Sequence, residues 1–173
     1  QAAGAVNLTT PGMYATVGNS NNEWQFIAYN PINNIISSFQ YNVQGRILDA
    51  VDMVYTNQSC GMSDGYFVTG NSLSGTAAGG QQRSVFVARV DAFGNPLWYR
   101  EFPINLDGEA KAIALGGGSD PTSPNSSTVY VTGLSATGLP FVAALDACGN
   151  QMWGPNVYSN LDATSHVEDI AYD

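Results

Sequence analysis

An internal repeat constrains this sequence more than any other feature, because it requires one local structure to be built three times. Three segments share nearly the same string: Tyr14-Ala-Thr-Val-Gly-Asn-Ser20, Tyr66-Phe-Val-Thr-Gly-Asn-Ser72 and Val129-Tyr-Val-Thr-Gly-Leu-Ser135. Their glycines, Gly18, Gly70 and Gly133, lie 52 and 63 residues apart. A period of this length is typical of arrays built from one supersecondary unit.

Further strings follow in the same order in each unit. A second apolar string aligns Phe26, Phe86 and Phe141. A third run contains Trp98 and Trp153, and the first unit holds Ser37 at that position. A fourth type of string closes each unit: Leu48–Met53, Ala110–Leu115 and Val167–Tyr172. These runs alternate or are short and apolar, and Gly, Pro, Asn and Asp bound them, so each predicts a β-strand.

Composition agrees with a strand-rich fold. Charged residues make up 11% of the 173 residues, against about a quarter in ordinary soluble domains, while glycine occurs 19 times. Helix-forming charged residues are therefore scarce, and we predict an all-β protein with no helix beyond a turn. The net charge of −9 argues against nucleic acid and anionic membrane surfaces as partners. No apolar run approaches the roughly 20 residues that span a bilayer, so we expect no membrane insertion.

A four-stranded antiparallel unit with this period predicts the blades of a β-propeller. The stretches Ala88–Trp98 and Ala143–Trp153 resemble quinoprotein-type propeller repeats. They are still more similar to secreted bacterial propeller repeats that read "VYVTG" and "VFVA.LD..GN..W". The resemblance covers about residues 13–172 and implies an architecture with the Val51, Ile113 and Ile170 strands innermost. It implies no activity, because function depends on sites grafted on a fold.

We predict an N-terminal extension, residues 1–12, followed by one propeller-type domain, residues 13–173. Its parts are a three-stranded blade at 13–42, complete blades at 47–103 and 109–158, and a lone inner-type strand at 166–172. The first blade lacks its inner strand, and three blades are fewer than the usual four to eight. The lone strand therefore completes the first blade of another copy, in a ring or a filament, or else the chain is a piece of a longer propeller.

The exchange hypothesis assigns residues to both sides of the contact between copies. The donor strand would use Val167, Ile170 and Tyr172. The acceptor strand would use Tyr14, Ala15 and Val17. We accordingly expect a homo-oligomer or a polymer.

Candidates for enzyme chemistry are weak. His166 is the only histidine, and no G-x-S-x-G string supports a nucleophilic serine. Glu168 and Asp169 are consecutive, so they point to opposite faces of a strand and do not form a carboxylate pair. The Asp91–Asn95 and Asp146–Asn150 segments are predicted to be structural turns rather than calcium loops. We predict no enzyme activity and no catalytic, cofactor-binding or metal-binding residue.

Several features indicate an extracellular or cell-surface protein. Lysine is rare and the chain begins at Gln1 without a methionine. Sequons place possible N-glycosylation at Asn7, Asn57 and Asn125, but chance alone predicts about as many, so their number does not indicate the compartment. Cys60 and Cys148 fit neither a zinc site nor a CxxC motif, but they could form one disulfide if their Cα atoms lie within about 7 Å.

We therefore expect a secreted structural module that self-associates through strand exchange. One alternative is an oligomeric, lectin-like propeller that binds carbohydrate. Trp24, which follows Asn21, Asn22 and Glu23, is its best single candidate for a glycan contact. The other alternative is a fragment of a larger propeller protein or enzyme whose active residues lie elsewhere.

Overall fold

The computed structural model of the chain describes residues 14–20, 23–30, 35–57, 60–76, 80–102, 108–116, 127–160 and 167–171. Within these ranges the chain forms eleven β-strands and no helix, which confirms the predicted all-β class. The strands are β1 (Tyr14–Ser20), β2 (Glu23–Asn30), β3 (Ile35–Tyr41), β4 (Arg46–Thr56), β5 (Gly65–Thr76), β6 (Gly80–Asp91), β7 (Pro96–Glu101), β8 (Glu109–Gly116), β9 (Thr128–Leu134), β10 (Pro140–Asp146) and β11 (Gln151–Val157). The predicted extension at residues 1–12 lies outside the described residues.

Three antiparallel sheets contain all eleven strands, and each sheet is built from strands consecutive in the chain. The first sheet has the order β1-β2-β3, the second β4-β5-β6-β7 and the third β8-β9-β10-β11. The three repeated units are therefore three sheets of three, four and four strands. β4, the first strand of the second sheet, contacts both β1 and β8.

Strand pairing corrects the predicted alignment of the second string. Gly18 pairs with Gln25, whereas the matching glycine of the second sheet, Gly70, pairs with Phe86. Gln25 therefore occupies the position of Phe86, and the alignment of Phe26 with Phe86 is wrong by one residue. Since side chains alternate along a strand, this shift places Phe26 on the opposite face of its sheet. Phe26 and Phe86 consequently lie in the same core, each facing the other sheet.

The pairing also corrects the alignment of the closing string. Ala50 pairs with Gly70, Ala110 pairs with Gly133, and a register shift follows directly after each alanine. Ala50 therefore matches Ala110, and the predicted match of Leu48 with Ala110 is wrong by two residues. Hydrophobic pattern alone could not show this, because a β-bulge inserts one residue and breaks the period of two.

The two aspartate turns have the predicted structural role. Asp91 Oδ1 accepts hydrogen bonds from the N–H groups of Phe93 (2.9 Å) and Asn95 (2.8 Å). Asp146 Oδ1 accepts the same pair of bonds from Cys148 (2.9 Å) and Asn150 (2.8 Å). Each carboxylate thus satisfies two backbone donors of a hairpin turn.

Two hydrophobic cores lie between successive sheets. The first core joins the first and second sheets and includes Trp24, Phe26 and Phe86. The second core joins the second and third sheets and includes Phe67 and Phe141. Among the described residues, the second sheet therefore contributes to both cores, one on each of its faces.

The glycines of the aspartate turns are contact points between sheets. A Cβ at Gly149 would lie 3.2 Å from the Trp98 ring, so the tryptophan of the second sheet packs directly on a turn of the third. A Cβ at Gly94 would likewise meet the Phe39 ring. Ser37 occupies the position opposite Ala28 that matches Trp98, and Phe39 makes the contact with the neighbouring turn instead. The same kind of contact fixes both pairs of sheets.

A disulfide ties the second sheet to the third. Cys60, in the loop between β4 and β5, is bonded to Cys148, in the turn between β10 and β11, and their Cα atoms lie 5.3 Å apart. The sequence alone does not decide whether this disulfide forms, because it does not fix how far each loop lies from the centre of the predicted propeller. The crosslink closes a loop with a sequence separation of 88 residues.

We expect the double substitution Cys60→Ser/Cys148→Ser to lower the free energy of unfolding by about 2–4 kcal/mol, because the unfolded chain regains the entropy of the opened loop. Urea unfolding followed by tryptophan fluorescence measures the difference. The unaltered protein treated with a reductant is the matched control and should shift by the same amount, whereas the double variant should not respond to the reductant. Equal midpoints for the oxidised protein and the double variant would contradict this expectation.

Candidate functional site

The feature that distinguishes the first sheet is an open edge. β1 pairs with β2 alone, whereas the matching strands of the other sheets pair on both sides, β5 with β4 and β6, and β9 with β8 and β10. Within the described residues, no strand lies beside the second edge of β1. Alternate N–H and C=O groups of β1 therefore face this edge without a strand to bond them.

Asparagine side chains in β1 and β5 join one sheet to the first strand of the next. The N–H of Ala50 donates to Asn19 Oδ1 (2.7 Å), and Asn19 Nδ2 donates to the carbonyl of Ala50 (3.2 Å). Asn71 repeats the contact one sheet further, since its Oδ1 accepts from the N–H of Ala110 (2.8 Å). The third sheet has Leu134 at this position, and leucine offers no such bond.

Asp52 makes a second connection between the first strands of neighbouring sheets. Its Oδ1 accepts from the N–H of Met53 (2.8 Å), and its Oδ2 accepts from the N–H of Ile113 in β8 (3.0 Å). One carboxylate thus satisfies two backbone donors from two sheets. The matching residue of β8 is Ala112, which could not supply an acceptor for Ile113 itself.

Burial raises the pKa of the Asp52 carboxyl, while the hydrogen bonds from Ile113 and Met53 oppose the shift, and the charge of Asp169 adds to it. Burial also raises the pKa of the Asp49 carboxyl. The charge of Glu109 raises this pKa further, and a hydrogen bond from Asn19 lowers it. Asp169 belongs to the described segment of residues 167–171.

That segment is the described part of the predicted donor strand. Residues 167–171 belong to no strand in the single chain, and Val167 and Ile170 are half-buried. Asp169 Oδ1 accepts from the N–H of Ile170 (2.7 Å), which reproduces the local bond of Asp52 with Met53. His166 and Tyr172 lie outside the described residues.

The predicted acceptor residues contribute differently from what the sequence suggests. Ala15 is 2% exposed and Val17 is 0% exposed, and both lie in the first core against the second sheet. Tyr14 lies in β1 opposite Tyr29. Since Ala15 and Val17 are already buried, β1 would offer an incoming strand its backbone edge rather than these side chains.

Trp24 is not placed for the predicted glycan contact. Its side chain is 1% exposed, and its ring stacks on Tyr41 with the centroids 3.8 Å apart. Sugar binding needs an accessible ring face, and Trp24 presents none because Tyr41 and Phe86 both pack against its ring. The sequence could not show this, since the burial depends on how the first sheet meets Phe86 of the second.

The remaining predicted positions are dispersed. Asn57 is exposed, while Asn7 and Asn125 lie outside the described residues. Among the residues described, no group of three or more His, Cys, Asp or Glu side chains could hold a metal ion. None of the described segments is a helix long and apolar enough to cross a membrane.

The outer face of the third sheet carries exposed aromatic surface. Trp153 pairs with Ala144 just as Trp98 pairs with Arg89, so the two tryptophans occupy equivalent positions. Trp98 is covered by the turn of the next sheet, whereas Trp153 is 40% exposed and touches Tyr130, with the ring centroids 6.1 Å apart. Trp98 thus packs between neighbouring sheets.

Sequence reasoning missed the polar links through Asn19, Asn71 and Asp52. The repeated Gly-Asn pairs at 18–19 and 70–71 were a usable signal, because a glycine inside a strand pattern marks a close approach of another backbone. The role of Asp52 carried no comparable signal, since it depends on the bulge that turns its carboxylate toward Ile113.

The sequence matches no protein-family model and no curated protein. The function must therefore be argued from the open edge, the polar links and the exposed face themselves.

We expect Asp52→Ala to lower the free energy of unfolding by about 2 kcal/mol, because two N–H groups near the core lose their acceptor and each costs about 1–3 kcal/mol when unpaired. Part of this cost is offset, since the substitution also removes a desolvated carboxylate. Thermal and urea unfolding of dilute protein measure the effect. Asp169→Ala is the matched control and should change the unfolding of the dilute protein by less than about 0.5 kcal/mol, because Asp169 is exposed and its carboxylate accepts a bond from the N–H of the next residue. An Asp52→Ala variant as stable as the unaltered protein would contradict the role given to this carboxylate.

Proposed function

We propose that the chain is a propeller-type structural module, secreted or displayed at the cell surface, that self-associates by completing its first sheet with a strand from another copy. The observation that carries the proposal is the open edge of β1 in a chain whose other two sheets each have a fourth strand. An exposed row of backbone donors and acceptors is a template for pairing with another chain.

The propeller interpretation is supported by the order and contacts of the sheets. Each sheet is a meander, and the sheets pack one on the next in chain order with their first strands adjacent, since β4 contacts β1 and β8. This arrangement is typical of consecutive propeller blades. Three blades are too few for an ordinary ring, so further sheets from other copies would close it or extend it into a filament.

The outer face of the third sheet supports an additional neighbour. Two contacts of one kind already exist, Phe39 on the Gly94 turn and Trp98 on the Gly149 turn. Trp153 occupies the third equivalent position but remains 40% exposed. A sheet from a second copy placed there would cover this ring as the third sheet covers Trp98.

Localisation outside the cell is supported by the disulfide between Cys60 and Cys148, because such bonds form and persist mainly in oxidising compartments. The net charge of −9 supports partners other than nucleic acid. Trp24, the residue predicted to contact a glycan, is buried, so no observation favours the lectin-like alternative.

We expect the purified chain to associate with increasing concentration, and the Trp153→Gln substitution to weaken this association about 30-fold, since an interfacial tryptophan is typically worth about 2 kcal/mol or more. Sedimentation velocity over a range of concentrations measures both effects.

Phe93→Gln is the matched control, because Phe93 is 66% exposed but lies on a turn of the second sheet, away from the proposed contact. It should associate like the unaltered chain. A monomer at every concentration would contradict self-association. An intact mass of the natural protein well above that of these 173 residues would instead favour the larger-propeller alternative.

A further inference from the structure

Gly70 and Gly133 lie in the middle of β5 and β9, the strands that pair with the first strand of their sheets. A Cβ at Gly70 would overlap the carbonyl oxygen of Asp49 in β4, and a Cβ at Gly133 would overlap the carbonyl oxygen of Glu109 in β8. Neither glycine has a positive φ, so the backbone conformation itself does not require glycine there. The requirement is the close approach of the fourth strand just before its bulge.

Gly18 holds the same place in β1, inside the first copy of the repeated string, yet no described residue is such a neighbour. Within the described part of the chain, nothing lies within 4 Å of a Cβ built on Gly18, and its φ is not positive. The described residues therefore give no packing reason for this glycine. Its position matches the place where a carbonyl of a fourth strand enters in the other two sheets.

We infer that Gly18 is a vacant acceptor seat for residues 167–171 of a second copy of this chain, an inference that rests on the proposed self-association and defines its geometry. In the two complete sheets, the alanine after the approaching carbonyl pairs with the glycine: Ala50 with Gly70 and Ala110 with Gly133. The corresponding pair between copies is Val167 with Gly18.

The rest of the register follows from the same template. Asp52 pairs with Thr69 after the bulge, and Met53 then pairs with Val68. Transferred to the first sheet, the bulge falls at Glu168, Asp169 pairs with Val17 and Ile170 pairs with Thr16. This differs from the alignment predicted by hydrophobic pattern, because it places Val167 at the position of Ala50 rather than that of Leu48.

The segment itself already carries the local structure that this register requires. The bond from the Ile170 N–H to Asp169 Oδ1 (2.7 Å) corresponds to the bond from the Met53 N–H to Asp52 Oδ1 (2.8 Å). In β4 this bond is made by the residue that directly follows the bulge. A segment that pairs with no strand among the described residues thus already has one feature of an inner strand.

Chain connectivity favours a second copy as the source of the acceptor. Residues 102–108 carry the chain from β7 to the adjoining sheet, and the connection from β11 to Val167, residues 158–166, is of similar length. The segment is therefore suited to a sheet packed directly on the third one, on the side of Trp153. The chain's own first sheet packs instead on the second sheet, on the face opposite to the third.

A complementation experiment with full-length chains tests the seat. Gly18→Val should block acceptance but leave donation intact, and Ile170→Pro should block donation but leave acceptance intact, because proline removes the N–H and cannot sit in a paired strand. Each variant alone should be a monomer with at least 100-fold weaker association than the unaltered chain. An equimolar mixture should form a 1:1 complex that grows no further, since each end is blocked.

Folding controls keep these outcomes separable. Gly18→Val should keep the far-ultraviolet circular dichroism and thermal midpoint of the monomer, whereas Gly70→Val and Gly133→Val should lose the folded signal because their fourth strand is present. An unfolded Gly18→Val, or a Gly18→Val that associates like the unaltered chain, would overturn the seat. Two monomeric variants that fail to complement would also overturn it, because an intact donor segment would then not pair with an intact acceptor edge. If the unaltered chain itself never associates, the proposed function fails rather than the seat alone.

Discussion

Every sheet of this protein needs a neighbour on its apolar face, and this packing of sheet on sheet is the constraint on which the rest of the structure depends. The second sheet satisfies it on both faces, through Phe86 toward the first sheet and Phe67 toward the third. Burial of such side chains is worth about 1.5–3 kcal/mol each, which makes the middle sheet the natural centre of stability. The first and third sheets share that stability on one face only, so their outer faces are where association can add to it.

Polar groups refine this packing at the first strands of the sheets. Asn19, Asn71 and Asp52 accept hydrogen bonds from backbone N–H groups of β4 and β8, and each of these bonds crosses from one sheet to the next. The links stop at the third sheet, where Leu134 and Ala112 offer no acceptor. A further sheet beyond the third would therefore rely more on apolar contact through Trp153 and less on amide bonds.

The sequence predicted the strands well but the register poorly, for identifiable reasons. The repeated strings around Gly18, Gly70 and Gly133 located strands because period-two patterns depend only on local alternation. The alignments failed at Gln25 and Ala50 because bulges and a shortened loop change the count without changing the apolar pattern. Burial of Trp24 and the 5.3 Å approach of Cys60 and Cys148 depend on how whole sheets meet, which a single sequence does not encode locally.

Amide hydrogen exchange in β1 is the most direct measurement of whether another strand completes the first sheet. We expect peptides covering Tyr14–Ser20 to exchange fast in dilute protein and to become protected on association, because alternate amides gain partners. The outer strand β7 keeps its free edge and should remain unchanged. Equal exchange of β1 in the monomer and in the associated protein would contradict strand completion at this edge.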